Sequence, residues 1–393
     1  MNFLNDLTTV QKSLVLTLLA VVIFVVSAGG SYSLFSNTSL GQSATSLTSA
    51  LPGPASVITE DPKEPRTEEC PLNGALHTKR AKENWTQRRP LAVMIENHEE
   101  SRPQSGLSSA DIVYEAVAEG GITRFMAVYY CNLGDVQVGP VRSARTYFLD
   151  WASEYDPLYA HVGGANTSGP ADALGQIIKY GIKSLNQFGI GFPTYWRDYQ
   201  RLGRAVATEH TMYSTTQKLW AVGEKKGWTA KDLKGVSWNN AFVPWKFKED
   251  APSKDNNLAQ ATKIDVDFWQ GHTSYSVSWY YDGGCNCYKR DNGGVAHADL
   301  NTNQQLSSKN IVVQFQRESR ANDGYENNVH LIYKTIGEGS ALIFMDGKVT
   351  EGKWIKADRT KRTKFVDSKG KEIIFNKGQL WIQTVPEGSK VNY

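Results

Sequence analysis

Residues 111–132 read DIVYEAVAEGGITRFMAVYYCN. Two apolar runs, Asp111–Glu119 and Thr123–Asn132, are joined by Gly120-Gly121-Ile122. Runs rich in Val, Ile, Tyr and Phe that meet through a glycine pair predict a β-hairpin.

Working outward, Leu91–Glu96 (LAVMIE) and Tyr159–Val162 (YAHV) give two further short strands. Between them Phe148, Leu149, Trp151 and Ala152 recur at helical spacing, which predicts a helix over 146–155. Gly169-Pro170 opens another, with Ala173, Leu174, Ile177 and Ile178 on one face. Thr211–Lys225 predicts a third, with Met212, Leu219 and Trp220 inward. Beyond a polar stretch the pattern turns to strands. Ser274–Tyr281 alternates, Asn310–Gln316 is a β-branched run, and Ser340–Lys348 carries an Asp346-Gly347 turn. Glu372–Asn376 and Leu380–Val385 complete the set. The expected class is α+β: a mixed α/β domain at 86–245, a linker at 246–262 and a smaller antiparallel β domain at 263–393.

The N-terminal region is of another kind. After a stub at 1–12, residues 14–30 carry no charge, and the segment 13–35 predicts a membrane helix. Lys12 before it sets the expected orientation, with the body outside the cytoplasm. A cleavable signal peptide ending near Val26-Ser27-Ala28 is the competing reading. Residues 36–85 begin rich in Ser, Thr, Gly and Pro and form the expected tether. No cysteine follows the apolar run to accept a lipid. An exported chain with Cys70, Cys131, Cys285 and Cys287 is compatible with two disulfides, in any of three pairings.

Lys and Arg number 43 and Asp and Glu 40, a net charge of +3 that argues against a nucleic-acid binder. With 40% hydrophobic and 21% charged residues the chain is neither globally disordered nor polytopic in a membrane. Basic residues gather at 348–377 (Lys353, Lys356, Arg359, Lys361, Arg362, Lys364), as a solvated face or an attraction to anionic polymer.

The densest candidate constellation is Gly139-PVRSART-Tyr147. Arg142 and Arg145 flank Ser143 between a predicted strand and a predicted helix, and Arg124 lies mid-strand. A guanidinium is a planar fork of donors suited to phosphate or carboxylate. The same arginines could instead pair with Glu96, Glu115, Glu119 or Asp150 and only hold the fold. His161, followed by Val-Gly-Gly, and His210, before a helix, are candidates to line a cleft. Asp111 and Glu115 are candidates to orient the arginines. His297-Ala-Asp299 offers two ligands, too few to assign a metal, and no cofactor is assigned. No nucleophile elbow, P-loop or HExxH is present.

Several motifs occur in order: Arg89-PLAVMIEN-His98, Arg102-PQSG-Leu107, Ala110-DIVY-Glu115, Glu119-GGITR-Phe125, Val138-GPVRSA-Arg145 and His161-Val-Gly-Gly164. Tyr288-x-Arg290, His297-x-Asp299, Asn310-Ile-Val-Val and Gly378-QLW-Ile382 follow. Over 85–393 the chain resembles the YerB-like family of bacterial membrane-attached proteins. That resemblance implies an extracytoplasmic two-part body without a known activity. Glu96 stands where the family pattern would have Asp, and Glu209-HTM-Tyr213 where it would have His-Asn-Leu-Tyr. The order of acidic strand, Arg strand and Pro-x-Arg turn is also similar to envelope phosphotransferases of the LytR-CpsA-Psr type, with Ser143 in place of their Asp.

The expectation is therefore a membrane-anchored envelope protein. It would bind an anionic envelope polymer or lipid-linked ligand through Arg124, Arg142, Ser143, Arg145, His161 and His210. A metal-assisted enzyme on wall glycopolymers and a non-catalytic scaffold are the alternatives.

Overall fold

The computed structural model describes residues 20–23, 26–27, 63–251, 260–325, 327 and 329–393. In chain order its main elements begin with helix α1 (Lys79–Trp85) and strands β1 (Leu91–Glu96), β2 (Ile112–Glu119) and β3 (Ile122–Tyr129). Helix α2 (Thr146–Ala152), β4 (Leu158–His161), α3 (Ala173–Lys179) and β5 (Lys183–Asn186) come next, then β6 (Met212–Thr215) and α4 (Thr216–Lys225). The second half supplies β7 (Lys263–Val266), β8 (Val277–Asp282), β9 (Cys287–Asn292), β10 (Asn310–Gln316) and β11 (Gly337–Met345). It ends with β12 (Lys348–Lys356), β13 (Lys364–Asp367) and β14 (Leu380–Pro386).

One ten-stranded sheet, ordered β13-β12-β11-β10-β14-β2-β3-β1-β4-β5, runs through both halves. Strand β14 lies parallel to β10 on one side and to β2 on the other. The expected α/β and β halves are thus joined by one sheet. Apolar runs such as Ile311–Val313 and Leu380–Ile382 are buried, and joining the sheet of the first half covers their faces. The second half also forms an antiparallel group in which β8 pairs with β7 and β9. Its Trp279 is fully buried and meets Trp381 of β14 at 5.2 Å between ring centroids.

Both expected hairpins form. Gly120 and Gly121 adopt φ of 53° and 80° between β2 and β3, and Asp346 and Gly347 adopt 56° and 67° between β11 and β12. Positive φ at both central residues suits the right-handed twist of the flanking strands. Other boundaries move. The helix expected from Thr211 starts at Thr216, because Met212–Thr215 is drawn into a ladder with Gln137–Val138 and Trp196–Arg197. Helix α2 stops at Ala152, short of Tyr155. Helix α3 begins after Asp172, whose carboxylate caps the Gly175 N–H.

The expected linker at 246–262 carries a strand, Lys246–Lys248, parallel to Ile374–Asn376, while 252–259 lie outside the described residues. The basic stretch is not a uniform solvated face: Lys356 is buried against Glu154 at 2.6 Å, and Arg362 pairs with Glu372. Two disulfides form, Cys70–Cys131 and Cys285–Cys287.

The predicted spanning helix at 13–35 falls mostly outside the described residues; 20–23 and 26–27 are helical. Among the described residues no helix is long and apolar enough to cross a membrane, so the spanning helix has no support here. The tether at 36–62 lies outside the described residues.

Candidate functional site

One end of the sheet gathers most of the predicted residues. Strand β1 ends at Glu96, which stands opposite Arg124 of β3, and β2 ends at Glu119. Strand β4, parallel to β1, ends at His161. The segment Gly139–Arg145 is laid across this end by backbone bonds. Glu96 N–H donates to Pro140 O, Arg142 N–H to Met94 O, and Ala144 N–H to Gly163 O. Functional groups concentrate where parallel strands end in an open α/β sheet.

The arginines there have unequal roles. Arg124 is buried and donates to Ser143 O at 2.8 Å and Glu119 Oε1 at 3.1 Å. Arg145 is buried and donates to the other oxygen of Glu119 and to Ala144 O. Burial acts to raise the Glu119 carboxyl, but the guanidiniums of Arg124, Arg145 and Arg142 outweigh it and bring it down to about 2. Two of the three expected anion binders thus share one carboxylate and brace the sheet end. Ser143 contributes its carbonyl to this brace. Arg142 differs: it is 23% exposed and forms a 2.9 Å ion pair between its Nε and Glu96 Oε1. The contact is an ion pair without an aligned hydrogen bond from the buried Nε, and neither Nη group hydrogen-bonds a described residue.

Glu96 also receives His210. The short turn Thr208–His210 brings the His210 Nδ1–H to Glu96 Oε2 at 2.8 Å. That bond, partly opposed by burial, raises the His210 pKa. The ring of His98 stacks on His210 with centroids 4.7 Å apart and planes at 14°. Glu100 Oε2 stands 3.6 Å from His210 Nε2, and His98 Nδ1 accepts the Glu100 N–H at 3.2 Å. His98 and Glu100 were missed as site residues from sequence. The available signal was His98-Glu99-Glu100 directly after an apolar strand.

The remaining predicted residues lie apart from this group. Asp111 accepts the N–H groups of Tyr130 and Cys131 and the Asn73 amide beside the Cys70–Cys131 bridge. Burial raises its pKa; it anchors that loop and hydrogen-bonds no arginine among the described residues. Glu115 is sealed in the core. It accepts from Arg290 at 2.7 and 2.8 Å, and from Trp381, Gln383 and Thr123. Arg290 donates to His297 Nδ1 at 2.6 Å, and His297 Nε2 meets Gln104 Oε1 at 2.6 Å. Burial, with the Arg290 and Arg102 charges, pushes His297 far below the ordinary histidine range.

Asp299 caps the N–H groups of Gly106 and Ser108. His297 and Asp299 are therefore committed to protein partners rather than to a metal. His161 borders a groove of about 490 Å³ with Leu174, Ile177 and Trp228. Its nitrogens are held by Gly163 O and Ser184 Oγ, and burial lowers its pKa to about 4. It does not join His210.

Two family profiles match this chain, and both fit the frame just described. The one described as "Protein of unknown function (DUF3048) N-terminal domain" covers residues 77–229, and its C-terminal counterpart covers 264–382. The chain belongs to this YerB-like family. A Bacillus subtilis (strain 168) protein named "Putative lipoprotein YerB" is 29% identical over 321 residues, 81% of this chain and 86% of the relative. The crystal structure of YerB from Bacillus subtilis superposes with a TM-score of 0.67 at 27% identity, over 83% of this chain and 100% of that one.

Proposed function

We propose that the protein is an extracytoplasmic cell-envelope protein that binds an anionic ligand at the open end of the sheet. Arg142 is the receiving group. The observation that carries this reading is its half-tied fork: Nε faces Glu96 in an ion pair while neither Nη group hydrogen-bonds a described residue. A guanidinium fixed on one edge presents the other to phosphate or carboxylate at little further ordering cost. Arg124 and Arg145, expected as co-binders, instead hold the segment that carries Arg142. Anchoring outside the cytoplasm rests on the apolar stretch 14–30 and on the lipoprotein name of the relative. The ligand class is a phosphate-bearing envelope polymer or lipid-linked precursor.

The test is thermal shift of the full-length chain in mild detergent, with pyrophosphate and with a polyphosphate-backbone wall polymer. Stabilisation by either ligand that disappears in Arg142→Ala and is partly kept in Arg142→Lys is expected. No stabilisation, or equal stabilisation of the Ala variant, overturns the reading.

A further inference from the structure

We propose that His98, Glu100 and His210 form a binding site for a divalent transition-metal cation of the zinc type, with Glu96 orienting His210 from behind. The three side chains can offer one ligand atom each, all within 4.8 Å of one another. Two imidazoles and a carboxylate are the donor set of zinc sites that keep a position open for water or ligand. The other cluster of metal-binding residue types, Cys70, Asp111 and Cys131, has both sulfurs in a disulfide.

Two features distinguish this group from a chance meeting of polar side chains, and a third sets what must move. First, the Glu96 carboxylate accepts His210 Nδ1–H at 2.8 Å. That fixes the tautomer with its lone pair on Nε2, the arrangement by which carboxylates position metal-binding histidines. Second, His210 is only 4% exposed, yet its Nε2 has no hydrogen-bond partner among the described residues. The nearest group, Glu100 Oε2 at 3.6 Å, is too far for a hydrogen bond. Two ligands about 2.1 Å from a shared tetrahedral ion stand roughly 3.4 Å apart, which is close to this gap. Third, the His98 ring stacks flat on His210. An imidazole lone pair lies in the plane of its ring, so for both to bind one ion His98 must turn out of this stack. To ligate through Nδ1, His98 gives up the long 3.2 Å bond from the Glu100 N–H.

Exposed Glu209 lies within electrostatic reach of His98, His210 and Arg142 and adds negative charge at the mouth. Arg142 pairs with the same Glu96 carboxylate that holds His210.

The experiment is calorimetric titration of the full-length, tag-free chain in detergent with Zn²⁺ after treatment with chelator, and with Mg²⁺ in parallel. One equivalent of Zn²⁺ is expected, with Mg²⁺ far weaker because it prefers oxygen ligands. His98→Ala and Glu100→Gln should each weaken Zn²⁺ binding at least about tenfold, and Glu96→Gln by about 10- to 100-fold. His272→Ala, an exposed histidine elsewhere, should change nothing. Tetrahedral d–d absorption with Co²⁺, lost in His98→Ala, would identify the site independently. His98 and Glu100 are not buried, so their variants carry the test even if His210→Gln fails to fold. Absence of stoichiometric Zn²⁺ binding, or unchanged affinity in both His98→Ala and Glu100→Gln, overturns the proposal. Arg142→Ala keeps all three donors, so loss of anion binding and loss of metal binding are separate results.

Discussion

Two clusters in this protein use the same three side-chain types. Around Glu115, an arginine bonds the carboxylate and a histidine bonds that arginine, with no access to solvent. Around Glu96, an arginine and a histidine meet a carboxylate where the sheet opens. Glu115 is saturated by Arg290, Trp381, Gln383 and Thr123. The Arg290 guanidinium is enclosed by Trp381, Phe125 and Trp279 at 4.9, 5.5 and 5.6 Å from their ring centroids. Around Glu96, hydrogen-bonding capacity is unused among the described residues: the Nη groups of Arg142 and the Nε2 of His210, 3.6 Å from Glu100. Residue type does not separate a brace from a site. What is left over after the protein has satisfied itself does.

The comparison is broken most severely by Arg290→Met. Removing one partner strands the Glu115 charge in the core, and about 3–5 kcal/mol of stability should be lost in urea unfolding. A loss below about 1 kcal/mol would mean that the sealed cluster is not a brace. Adding Glu115→Leu should recover much of the loss, since no charge is then stranded. Opening the Cys70–Cys131 bridge, which spans 61 residues, should cost at most about 4 kcal/mol by loop-closure entropy. Opening Cys285–Cys287, with a separation of 2, should cost far less. Thermal melts of the two serine pairs would show the order.

A third effect belongs to the sealed class. His161 has its pKa depressed from 6.5 to about 4, so the unfolded chain takes up its proton first as pH falls. The stability associated with neutral His161 is therefore complete above pH 6.5 and declines toward pH 4. The loss is on the order of 3 kcal/mol, at 1.36 kcal/mol per pKa unit. His161→Gln should flatten that part of the stability–pH curve, and an unchanged slope would refute the assignment. The smallest expected stability effect is Arg142→Ala, about 1 kcal/mol or less for a partly exposed pair, while anion binding is lost. A large stability loss at Arg142 would place it with the braces and erase the contrast.

The local elements were legible. The runs at 91–96, 112–119 and 310–316 could be little but buried strands, and both glycine-bearing hairpins followed from turn chemistry. Partnership was not legible. Periodicity reports which residues are buried but not which run lies beside which, so β14 between β2 and β10 left no local mark. Glu115 and Arg290 are 175 residues apart, and no spacing rule links them. The arginine cluster was found as a cluster, but its division into two neutralised groups and one available group depends on where Glu119 and Glu96 end their strands. Residues 212–215 read as helix because their apolar positions continue those of α4, and a ladder formed with distant strands outweighed that local preference.

The position of β14 also has a meaning in time. Gln383 reaches Glu115 across 268 residues of chain, so the strand that closes the middle of the sheet is made long after the strand it lies against. A ribosome that has released β1 to β5 has released a sheet with one edge of β2 unpaired. Such an intermediate has little to lock it. The fold is therefore closed from its C-terminal end, and the sheet is complete only when β14 arrives.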